Sequence, residues 1–176
     1  ASRFFLAILL PLTAQVSRTE PEAPSPKSAL ELTANPTARE IFRVRIFEEP
    51  LVPTGGEPTM AENTALAEAL STYGKRGEPD DFSSLTGFLE KHPRSPWRAA
   101  LLPDLGLEYY RTAHYSLALR AWTSAWELSK NVTEPNGKAI ADRAVGELAC
   151  MHARLGHIEE LESLLKSVVN RVLTGP

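Results

Sequence analysis

The chain has 176 residues, 43% of them hydrophobic, with a formal net charge of −3 and a pI near 5.9. That is enough apolar material for one core, and the charge balance gives no reason to expect a nucleic-acid partner. The single cysteine, Cys150, rules out an intrachain disulfide and a cysteine-rich zinc site.

Three regions differ in composition. Residues 1–15 (ASRFFLAILLPLTAQ) hold a short apolar run after Arg3. A bilayer span needs roughly 20 apolar residues, so no stable transmembrane span is expected here. The pattern fits the apolar part of a secretory signal, with Thr13-Ala14-Gln15 as the cleavage neighbourhood. That reading places the protein outside the cytoplasm: periplasmic, cell-surface or secreted. Residues 16–58 are rich in Pro, Glu, Ser and Thr and are expected to form a flexible, disordered tail or linker. Within them, IFRVRIF at 41–47 alternates, with Phe42, Val44 and Ile46 on one face. This predicts either a short strand at 41–47 or extended coil.

Residues 59–176 carry helical periodicity. Ala61, Ala65, Leu66, Ala69, Leu70 and Tyr73 recur at three- and four-residue steps, and Gly74 and Gly77 end that helix. Asp80 or Asp81 caps a second helix with Phe82, Leu85, Phe88 and Leu89 on one face, stopped by His92-Pro93. Ser95-Pro96 starts a third, running to Arg111 with Pro103 inside it, where a kink is expected. A fourth spans 115–130, a fifth opens at Pro135 and ends before Gly156, and a sixth spans 158–173. Short turns join the six helices into three hairpins.

The middle hairpin repeats the tetratricopeptide signature, W-x2-L-G-x2-Y followed by A-x3-F. Leu102, Leu105, Gly106, Tyr109, Tyr115, Ala118, Trp122 and Ala125 match its order and spacing, with Leu102 for the leading Trp and Trp122 for the Phe. Gly106 and Ala118 are small where two helices cross closely; Tyr109, Tyr115 and Trp122 are expected to fill the same seam. The third hairpin is a weaker copy and the first is irregular. The chain therefore resembles a tetratricopeptide array of about three pairs, which implies an all-α, right-handed α-solenoid.

The stretch from DDFSSLTGFLEKHPRSPW to AWTSAWELSK, preceded by FEEPLVPTGGEP, also resembles the amino-terminal helical region of large exported bacterial proteins with rearrangement-hotspot (RHS, YD-type) repeats. The resemblance covers about residues 47–176. In that family a papain-like peptidase domain often follows, so it implies that any peptidase chemistry lies beyond this fragment. It assigns no catalytic residue here.

The residues themselves offer no chemistry. The four histidines, His92, His114, His152 and His157, form no metal-binding motif, and no cofactor or metal is expected. Cys150 and His152 are two residues apart on a helix and point to different faces. No nucleophile elbow, phosphate loop or dinucleotide fingerprint occurs, so the chain is read as a non-enzyme. Binding remains. The first helix of each pair lines the concave face of such an array. In the middle unit its free residues are Leu107, Tyr110 and Arg111; in the third, Arg143, Cys150 and Arg154; in the first, Asn63, Leu70 and Tyr73. Leu107, Tyr110, Arg111, Arg143 and Arg154 are the candidate peptide-binding residues, with the arginines as a basic stripe for a carboxylate or acidic peptide. The alternative is that these arginines are solvated charges paired with Glu108 or Glu147. The expected partner is a protein or peptide, including other domains of the same longer chain.

Overall fold

The computed structural model describes residues 32–173. The signal-like segment 1–15 and the first part of the expected linker, 16–31, lie outside the described residues. Among those described the fold is all-α, with seven helices and no strand.

The first helix, α1 (Ala38–Arg43), corrects the expected strand at 41–47. Thr37 and Glu40 form a reciprocal capping box: the Thr37 hydroxyl accepts from Glu40 N–H, and the Glu40 carboxylate accepts from Thr37 N–H at 2.8 Å. Two otherwise unpaired donors are satisfied, which favours a helical turn over an extended one. The buried residues are Ile41 and Phe47, while Phe42 is exposed; the alternating set was not the core-facing one. The expectation of a flexible linker is also corrected for the described part of it. Ile41, Phe47, Leu51 and Thr54 are all buried, so residues 41–54 belong to the packed unit.

Helix α2 (Met60–Gly74) starts on a second capping box, Thr59 with Glu62. Helix α3 (Ser83–Lys91) begins where the Asp81 carboxylate accepts from Ser83 N–H at 3.0 Å. Helix α4 (Arg98–Arg111) continues through Pro103 without a break. Helix α5 (Tyr115–Ser129) returns antiparallel to it after a turn in which Ala113 takes a positive φ of 63°. Helix α6 (Pro135–Leu155) has proline in its first turn and Gly156 in the left-handed region at its end, φ 70°. Helix α7 (Ile158–Val168) stops short of the expected Leu173. Beyond it Arg171 turns back: its guanidinium donates to Asp142 at 2.6 Å and to the carbonyl oxygens of Lys130 and Lys138.

Sequential helices pack as α2 on α3, α4 on α5, α5 on α6 and α6 on α7, and α4 also meets α6. One hydrophobic cluster joins them, from Ile41 through Leu66, Leu85, Trp97, Leu101 and Trp122 to Leu148. The α4–α5 crossing is tight. A Cβ built on Gly106 would lie 2.3 Å from Trp122 Nε1, so only glycine lets the indole sit there. That indole donates to the Pro103 carbonyl at 3.2 Å. Among the described residues no helix is long and apolar enough to cross a membrane.

Candidate functional site

Two of the five candidate residues, Arg111 and Arg143, face a stretch of the chain itself. After α1, residues 44–54 pass across α2, α4 and α6, the first helices of the three hairpins. Phe47 packs its ring on Tyr73 of α2, centroids 5.6 Å apart. The next residue, Glu48, pairs with Arg111 at the end of α4. Glu49 pairs with Arg143 of α6 at 2.9 Å. Leu51 is 2% exposed. Thr54 N–H donates to the carbonyl of Pro96, just before α4, at 2.9 Å, and Gly55 N–H donates to Glu134, just before α6, at 3.0 Å. The segment thus runs antiparallel to α4 and α6.

Each arginine also holds a carboxylate of its own helix, as the solvated-charge alternative anticipated. Arg111 contacts Glu108 at 2.8 Å and Arg143 contacts Glu147 at 3.0 Å. Glu108 in turn accepts from the Tyr73 hydroxyl at 2.8 Å. Burial, and then that bond, push the Tyr73 hydroxyl well above its ordinary pKa, so it stays a donor. The Glu48 carboxylate beside Arg111 holds that guanidinium firmly charged.

Beneath the segment lies Asp104, 4% exposed on α4. Burial pushes its carboxyl up to about 8, and the negative charge of Glu49 pushes the same way, partly offset by Arg143. The middle of α4, near Glu49 and Arg143, therefore carries a carboxyl that is mainly protonated at neutral pH. Sequence reading missed it, because an acid between Pro103 and Leu105 has no local mark of burial. Arg143 Nε is also buried, with no hydrogen-bond partner among the described residues.

The remaining candidates divide. Arg111 and Arg143 are brought together by the acidic pair. Tyr110 and Arg154 are not free for a ligand: the Arg154 guanidinium donates to the Tyr110 hydroxyl, and the Tyr110 ring packs on Tyr115 and Trp122 at 5.4 and 6.2 Å. Leu107 is partly buried against the core. In the first hairpin, Asn63, Leu70 and Tyr73 are buried rather than free. The Asn63 side-chain oxygen accepts from Trp97 Nε1 at 2.8 Å, a bond that links α2 to the start of α4. Cys150 is exposed.

Of the expected seam residues, Leu102, Leu105, Gly106, Tyr109, Ala118, Trp122 and Ala125 are buried. Tyr115 is the correction: it is 47% exposed at the first turn of α5. It sits beside the turn that joins α4 to α5, at the edge of the hairpin, with its ring 5.4 Å from that of Tyr110.

A second concavity, about 890 Å³, opens between α5, α6 and α7, with Trp126, Lys130, His152, Glu159, Lys166 and Arg171 on its walls. Among the described residues no group of three or more His, Cys, Asp or Glu side chains is placed to hold a metal ion. Comparison with protein-family models, with curated proteins and with solved structures finds no match to this chain.

Proposed function

We propose that the chain is a non-catalytic protein–protein or interdomain interaction module. Its helical pairs act as a short tetratricopeptide-like array whose first helices, α2, α4 and α6, receive an extended peptide. One observation carries this reading: a non-helical stretch of polypeptide already packs on those helices, with two carboxylates on Arg111 and Arg143 and two apolar side chains buried. Charge-assisted pairs of this kind give direction and register to an acidic peptide. In this reading the signal-like residues 1–15 place the module on the exported side of a membrane.

The test is selection from a displayed random-peptide library on the immobilised protein and on Arg111→Ala/Arg143→Ala. Enrichment of acidic extended sequences by the wild type, and none by a variant of unchanged helicity, is the expected result. No enrichment by the wild type, or equal enrichment by both, refutes the groove.

A second reading draws on the resemblance to RHS-repeat proteins, in which this chain is the amino-terminal helical part of a larger protein with its peptidase chemistry elsewhere. What favours it is that FEEPLVPTGGEP, which the resemblance includes, packs with the helices instead of linking to them. The groove would then hold a neighbouring segment of the same protein.

A further inference from the structure

We infer that residues 47–54 are an internal stand-in for the groove's ligand. The outside partner is then an extended peptide with an aromatic residue, two successive carboxylates and an aliphatic residue two positions on, and it binds by displacing them. This rests on the interaction-module reading and adds the class of partner and the way it enters.

Three features support displacement. First, side chains do the holding. Among the described residues, 47–53 make no main-chain hydrogen bond to the helices, and the first such bond is Thr54 N–H to Pro96. A β-type ladder would hold any sequence; here the hold depends on Phe47, Glu48, Glu49 and Leu51, and a peptide with the same side chains replaces it. Second, one ionic tether lies in solvent and the other is half-buried. The Arg111 and Glu48 side chains are 48% and 63% exposed, and those of Arg143 and Glu49 are 28% and 46% exposed. The exposed Arg111–Glu48 pair is weak and screened by salt. Third, removal leaves no arginine unpaired, because Glu108 and Glu147 remain. The open groove therefore keeps its charges compensated while it waits for a ligand. Complementarity selects the partner: two guanidiniums on adjacent helices, 32 positions apart in sequence, accept two adjacent carboxylates that approach across the helices.

The experiment uses a fluorescein-labelled synthetic peptide, VRIFEEPLVPTGGEP, titrated by anisotropy onto the full chain and onto Phe47→Ala/Glu49→Gln. The variant is expected to bind at least tenfold more tightly than the wild type, because its own segment no longer competes. A peptide with Glu48 and Glu49 changed to lysine is expected to lose at least tenfold. Should the double variant lose helicity, Glu48→Gln/Glu49→Gln leaves the apolar anchors in place and is expected to gain at least threefold. Equal affinity for wild type and a folded variant, or for the acidic and lysine peptides, overturns the proposal. So does a wild-type dimer by light scattering that disappears in the variant, which would mean exchange of the segment between copies. If library peptides bind but are indifferent to the 47–54 variants, displacement fails while the module reading stands. If no peptide binds any form, both fail.

Discussion

Replacing Asp104 with asparagine tests the electrostatics in the middle of α4, near Glu49 and Arg143. The side chain is 4% exposed, and burial, then Glu49, push its carboxyl from an ordinary 3.8 up to about 8. The folded protein therefore keeps a proton that the unfolded chain has already lost over that interval. A raised folded pKa contributes stability that is fully present below about 3.8 and is lost as pH rises through about 8. From pH 5 to pH 8 the wild type crosses about three units of that interval, which at roughly 1.36 kcal/mol per unit is on the order of 4 kcal/mol. That is a large share of the roughly 5–15 kcal/mol that holds a domain folded. Asparagine matches the neutral acid in size and cannot ionise, so Asp104→Asn is expected to flatten this slope. It should cost little at pH 5 and stabilise at pH 8–9. Urea unfolding at both pH values reads the difference directly. Parallel pH profiles for wild type and variant would refute the raised carboxyl and the placement of Glu49 above it.

Two further substitutions probe the framework beneath the groove. Gly106→Ala puts a methyl 2.3 Å from Trp122 Nε1, which must shift the indole off the Pro103 carbonyl. Overpacking of this kind costs about 1–3 kcal/mol, seen as a lower urea midpoint and an altered near-ultraviolet tryptophan signal; an unchanged signal would contradict the crossing geometry. Asn63→Ala strands the Trp97 indole N–H, which is 0% exposed, and should cost about 1–3 kcal/mol of stability by thermal or urea melting.

The helices were legible and the groove's occupant was not, for one physical reason. Helix periodicity, caps and the Gly106–Trp122 crossing are encoded within one or two turns or across a single hairpin. The order of residues 44–54 is encoded by Glu49 on Arg143 and Gly55 on Glu134, contacts made across most of the domain. Locally the stretch after Phe47 shows two prolines and no period, and Gly55-Gly56 follow it, which is how a linker reads as well. The helix α1 was legible in principle, since Thr37-x-x-Glu40 is a capping box in the sequence, but alternation at 41–47 gave a competing pattern. Asn63 was read as a ligand-facing polar residue on an apolar helix. A buried asparagine needs a partner, and only the fold shows that the partner is Trp97.

A tethered occupant changes how affinity for any partner is measured. The segment is joined to α2 by only a few residues, 55–59, so its effective concentration at the groove reaches the millimolar range typical of short links. An outside peptide competes with that, and its apparent affinity falls with the fraction of molecules whose groove is open. A groove closed about 99% of the time weakens an outside ligand about a hundredfold without altering any contact the ligand makes. Salt then acts twice. It screens Glu48–Arg111 and Glu49–Arg143, which opens the groove, and it screens the same pairs to an acidic partner. The two effects oppose each other, so binding to the wild type should depend less on ionic strength than binding to a variant without the acidic pair at 48 and 49. That contrast distinguishes a groove emptied by competition from one that was never occupied.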